Sequence, residues 1–83
     1  MKWREIKNEY EAQIERLRAQ GPYDLLEVSP NDTFEDIKRA YRRKVRRYHP
    51  DKTDDFMRPY SQEVVKLLNK AIREIERIKK NEA

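Results

Sequence analysis

Apolar residues recur every three or four positions through three stretches of the chain. Trp3, Ile6, Tyr10, Ile14 and Leu17 are separated by steps of 3, 4, 4 and 3, a single stripe on the 3.6-residue period. The pattern predicts an amphipathic helix from about residue 2 to residue 20, ended by Gly21 and Pro22. Its stripe is expected to pack on the rest of the chain, with self-pairing as a short coiled coil or an external partner as alternatives. A short apolar run, "YDLLEV", follows from Tyr23 to Val28 and reads as a brief helix plugging the core.

Ser29, Pro30, Asn31 and Asp32 form a turn. Thr33 with Asp36 resembles a capping box and starts a second long helix reaching about Tyr48. Ile37, Ala40, Tyr41, Val45 and Tyr48 share one side of it, and Lys38, Arg39, Arg42, Arg43, Arg46 and Arg47 cover the remainder. Lys44 projects toward the apolar side, where its stem is expected to follow the core edge and its ammonium to reach water. Pro50 stops the helix and pushes His49 toward extended geometry. Pro59 suits the first turn of a further helix, along which Val64, Val65, Leu68, Ala71, Ile72, Ile75 and Ile78 form a stripe. The two long helices on either side of the proline corner are expected to be antiparallel neighbours. The expected core is Tyr23, Leu26, Ile37, Tyr41, Val45, Tyr48, Leu68, Ala71, Ile72 and Ile75.

Charge sharpens this picture. The 83-residue chain has a net charge of +4, yet residues 38 to 52 alone hold eight Lys or Arg against one Asp. The remainder holds twelve basic and fifteen acidic residues, so the positive field is local and able to steer an acidic partner. Seven like charges within ten residues repel one another. Favourable placement at a helix C-terminus is a poor reason for so many, and a docking surface is a better one.

Composition excludes other chemistry. With no cysteine, disulfides and cysteine-type zinc sites are absent, and neither a metal nor a cofactor is expected. No apolar run approaches the roughly 20 residues of a bilayer span. The first residues lack the apolar core of a signal peptide, so a cytoplasmic setting without membrane contact is expected. His49 and Asp51 could suggest an acid–base pair, but no Ser, Cys or second His forms a nucleophilic or metal cluster with them, and no enzyme activity is expected. A basic helix after a turn also fits a small nucleic-acid binder. Asp51 and the acidic flanks weaken that alternative, and no base-reading pattern stands out.

The stretches "PYDLLEVSPNDTFEDIKRAYRRKVRRYHPDK" and "LLNKAIREI" resemble a J-domain, the DnaJ-type co-chaperone module, over about residues 21 to 78. The His-Pro-Asp tripeptide is weak alone; its specificity comes from following "IKRAYRRKVRRY" and preceding "LLNKA" at this distance. The resemblance implies an all-α fold: a J-domain-like antiparallel helical hairpin of helices II and III, with a short helix I. The additional N-terminal amphipathic helix is expected over residues 1–20, the J-domain over 21–80 and a disordered tail over 81–83. No fourth helix is recognisable after Ile78.

The resemblance further implies docking on a 70-kDa heat-shock (DnaK-type) chaperone and stimulation of its ATP hydrolysis. The residues it assigns to chaperone binding are His49, Pro50 and Asp51, with Lys38, Arg42, Arg43 and Arg47 on the helix face and Lys52 after the tripeptide. Tyr41 matches the family's tyrosine, and Asn69 with Ala71 its third-helix signature. Lys44 departs from the usual leucine. The link to the third helix is about two residues longer than in the commonest members, as in auxilin or membrane-anchored DnaJ-like proteins. A monomer is expected, with weak dimerisation through the N-terminal helix as the variant.

Overall fold

The computed structural model describes residues 3–48 and 58–82 of the chain (for 3–8, the helical backbone alone). They form four α-helices: α1, Trp3–Ala19; α2, Pro22–Leu26; α3, Phe34–Tyr48; and α4, Arg58–Glu82. The fold is all-α.

Helix α4 is the spine. Its 25 residues span about 37 Å at 1.5 Å per residue, and α1, α2 and α3 all pack against it. The core is Val64, Leu68, Ala71 and Ile75 of α4, Leu25 and Leu26 of α2, and Ile37 of α3. Partly buried against it lie Tyr23, Tyr41, Val45, Tyr48 and Ile72, together with Leu17, Val28, Phe34 and Tyr60. Leu25 and Val64 thus extend the core expected from the sequence. Ile78, the last member of the α4 stripe, is 37% exposed.

Paired contacts fix the directions of the helices. Pro30 meets Lys79, Tyr41 meets Asn69 and Tyr48 meets Tyr60. One number rises as the other falls, so α3 and α4 are antiparallel. On α1, Gln13 meets Tyr60 and Arg18 meets Glu63. These rise together, so α1 runs in the same sense as α4, over its first turns.

The ends of the helices have local causes. Gly21 does not end α1 through a left-handed conformation, since its φ is −71° and its ψ 168°. Pro22 imposes this extended geometry on the residue before it and opens α2, whose first hydrogen bond runs from Leu25 N to the Gly21 carbonyl at 3.0 Å. The left-handed residue is Glu27, with φ 56°. Val28 N donates to the Tyr23 carbonyl and Glu27 N to that of Asp24, the paired closure of a Schellman motif. Val28 and Tyr23 both pack on the core, supplying the apolar contact that accompanies it. Helix α3 starts as expected at Thr33, whose Oγ1 accepts from Asp36 N at 3.2 Å.

Lys44 does not send its ammonium to water. Its side chain is 22% exposed, and Nζ donates to the Leu25 carbonyl at 2.8 Å and lies 3.4 Å from Glu27 Oε2. Carbonyls at a helix C-terminus lack intrahelical partners. Lys44 therefore caps α2 from α3, which is what a cation can do at a position where leucine would only pack.

The expectation of no recognisable fourth helix is overturned. Four helices stand among the described residues, and the fourth, α4, is the longest. It takes in the whole stripe from Val64 to Ile78 and continues to Glu82, so Asn81 and Glu82, expected in a tail, are helical. The apolar period fades there, but other interactions hold the turns. Lys80 lies 3.4 Å from Glu76 one turn back, a helix-supporting spacing, and Lys79 Nζ donates to the Pro30 carbonyl at 2.7 Å.

Two outcomes follow. Removing residues 1–19 takes away Leu17 and the half-buried Tyr10 and Ile14. A fully buried side chain of this size is worth about 1.5–3 kcal/mol, and about 1 kcal/mol moves a domain of this size by 4–8 °C. A thermal melt of the truncated chain should fall by about 8 °C or more, and an unchanged melt would show that α1 adds no stability. Lys44→Met keeps the stem and removes the donor to Leu25. It should cost about 1 kcal/mol in urea unfolding, near the lower end because Glu27 is exposed, with an unchanged m-value.

Candidate functional site

The outer surface of α3 is built by exclusion. Ile37, Tyr41, Val45 and Tyr48 turn inward, and the Tyr41 hydroxyl donates to Asn69 Oδ1 of α4, locking the rotation of α3. Of the remaining positions, Arg39, Arg42, Arg43, Arg46 and Arg47 are exposed and basic.

Pairing is graded along this face. In the first turns, Lys38 lies 3.1 Å from Glu35 and 5.2 Å above the Phe34 ring, and Arg39 lies 3.6 Å from Asp36. In the last turns, Arg42, Arg43, Arg46 and Arg47 are exposed and form no ion pair among the described residues. Arg39, Arg42, Arg43 and Arg46 line one shallow groove. Arg43 and Arg47 border a second, open hollow with Lys44, Glu27, Ala40 and Leu26. Four guanidiniums therefore point to solvent over the two turns that end at Tyr48.

Of the residues expected to bind a chaperone, Lys38, Arg42, Arg43 and Arg47 thus share one helix. His49, Pro50, Asp51 and Lys52 lie outside the described residues, as do the side chains of Trp3 and Ile6. No group of acidic and imidazole side chains suited to a metal ion occurs among the described residues, and no described helix is long and apolar enough to cross a membrane.

One residue near this end escaped the sequence reading. Tyr60, in the first turn of α4, sits between Tyr10 and Tyr48. Burial, and then the neighbouring Tyr48 and Tyr10, push its phenol above the ordinary value of 10.0, so it stays protonated and a donor at neutral pH. The signal was present: Tyr60 precedes Val64 by one turn and extends the stripe of α4 toward its N-terminus.

The DnaJ domain model matches residues 21–83. A chaperone protein DnaJ from Nitratiruptor sp. is 49% identical over 49 residues, covering 59% of this chain and 13% of that protein. Chaperone protein dnaJ 39 of Arabidopsis thaliana is 43% identical over 49 residues, covering 59% of this chain and 12% of its own length. A DnaJ from Haloquadratum walsbyi is 49% identical over 49 residues, with shares of 59% and 12%. The chain therefore spans about one eighth of the length of these curated relatives. No solved structure gives a significant match. An antiparallel α3–α4 pair, a short α2 closed over it, a basic outer face ending at His-Pro-Asp and the match over residues 21–83 agree: the chain belongs to the DnaJ domain family, whose members are co-chaperone modules and not enzymes.

Proposed function

We propose that the chain docks on a DnaK-type, 70-kDa heat-shock chaperone and stimulates its ATP hydrolysis, using the basic face of α3 and the His49-Pro50-Asp51 tripeptide that follows it. The observation that carries the reading is the run of exposed arginines that form no ion pair among the described residues, Arg42, Arg43, Arg46 and Arg47, just before the tripeptide. Such a run weakens the helix by self-repulsion and finds its use in an acidic surface outside the chain.

The division of labour follows from the chemistry. Arg42, Arg43 and Arg47, with Lys38 and Lys52, attract the partner and orient it. Asp51, a carboxylate within a basic block, accepts a charge-assisted hydrogen bond from an arginine of the chaperone. His49 donates through one ring nitrogen and accepts through the other, and Pro50 restricts the backbone between them. Docking shifts the conformational balance of the chaperone, and the ATP chemistry stays in the chaperone. The module acts as a monomer in a cytoplasmic setting, without specific nucleic-acid binding.

Steady-state ATP turnover of a DnaK-type chaperone tests the tripeptide. His49→Gln or Asp51→Asn should reduce stimulation by about tenfold or more, with the thermal melt of the co-chaperone unchanged. Full stimulation by either folded variant would overturn the assignment. Charge is tested separately. Arg42→Glu with Arg43→Glu should weaken binding and flatten its dependence on salt, because long-range attraction between exposed charges is screened beyond about 8 Å at physiological ionic strength. Equal affinity of parent and variant at low salt would reduce this face to a solvated surface.

A further inference from the structure

Tyr60 is gripped from two sides. Its ring lies 5.0 Å from that of Tyr10, tilted by 32°, and 6.5 Å from that of Tyr48, edge-on at 69°. Its hydroxyl donates to Gln13 Oε1 at 2.7 Å. Tyr10 and Gln13 belong to α1, Tyr48 closes α3, and Tyr60 stands in the first turn of α4. Three helices meet on one phenol.

The location matters because Tyr48 and Tyr60 bracket the connection that contains His49, Pro50 and Asp51. Part of the grip of α1 falls there, while Leu17 holds its other end on the core. Arg18 also lies 3.5 Å from Glu63 of α4, on the following turn. No acidic residue opposes the helix dipole in the first turn, and Arg58 and Pro59 are exposed. Tyr60 is the first residue of α4 to pack against the core. A directional contact made from such a connection depends on supports held to within about 0.5 Å, and the two helix ends are those supports.

We propose that α1 is a positioning element for the chaperone-activating connection: Tyr10 and Gln13 hold Tyr60, and Tyr60 against Tyr48 sets the distance and angle between the two helix ends. The inference rests on the function proposed above and adds Tyr10, Gln13 and Tyr60 as positioning residues. Attraction to the chaperone and activation of it are then set by different parts of the molecule. The arginines of α3 govern how readily the partner arrives, and α1 governs how strongly the docked partner is stimulated.

The test uses the full chain carrying Tyr10→Ala with Gln13→Ala. Tyr10→Leu serves as a milder variant that keeps apolar volume and removes the ring, and Tyr10→Phe as the conservative control. All are assayed below their melting temperatures. His49 is the only histidine, so one imidazole signal in the NMR spectrum of the free chain reports on the connection without any chaperone. The Ala variant and Tyr10→Leu should move that signal and lower the maximal ATPase stimulation of a DnaK-type chaperone by about threefold to tenfold, the scale of one lost aromatic pair. The concentration giving half-maximal stimulation should stay within about twofold, because the basic face is untouched. Tyr10→Phe should retain the parent signal and the parent stimulation.

An unmoved His49 signal would overturn the coupling, whatever the ATPase shows. A moved signal with undiminished maximal stimulation would overturn the activating role, and so would a loss seen only in the half-maximal concentration. A parent chain that fails to stimulate the chaperone overturns the proposed function and the activating role together. The signal in the free chain still decides the coupling in that case.

Discussion

Everything in this molecule hangs on covering one apolar stripe. Hydrophobic residues make up 36% of the chain and charged residues 43%, and a domain of this size buries a smaller share of its surface than a larger one. Val64, Leu68, Ala71 and Ile75 supply most of the buried core from a single helix. The other helices are placed by what each brings to that line: Leu25 and Leu26 from α2, Ile37 from α3, Leu17 from α1. Ala71 lines the same groove as Pro22 and Leu25, and its small side chain lets α2 lie close to the spine. Once α3 lies antiparallel on α4, its C-terminal end must fall beside the start of α4. The place of the connection follows from core burial before any question of function arises.

The electrostatics follow from the same economy. Because α3 commits one narrow side to the core, the rest of its surface is open to charge. Near its start the cations answer to Glu35 and Asp36. Lys44 is drawn inward to a carbonyl of α2. The arginines of the last two turns answer to nothing among the described residues, and their clustering gains the fold little, since exposed pairs are worth at most about 1 kcal/mol. Field strength here is concentrated at one end of one helix, where a partner would read position as well as sign.

Much of this was legible because period and punctuation agree. The stripe of α4, the cap at Thr33 and the turn at Pro30 each rest on local chemistry that tertiary contacts did not override. Much of what escaped depended on contacts distant in sequence. The bond from Lys44 to the Leu25 carbonyl crosses 19 positions, and nothing near Lys44 announces it. Gly21 follows the last turn of α1, but Pro22 makes it extended and the left-handed residue is Glu27. The last turns of α4 lack an apolar period and are held instead by Lys79 and Lys80. For the site, the arginine face followed from the helical wheel. The meeting of Tyr10, Tyr48 and Tyr60 needed three helices to be placed first.

Gly21 carries a consequence for how such chains diversify. The family match begins at this residue, and α1 lies entirely before it. A side chain at 21 would meet nothing within 4 Å, and the backbone there is of the extended kind that any residue adopts. The joint between α1 and the module therefore places little demand on what is spliced to it. A different leading segment could be joined at this point and find its own hold on the first turns of α4. Variation upstream of a shared module can in this way tune the module without altering a residue within it.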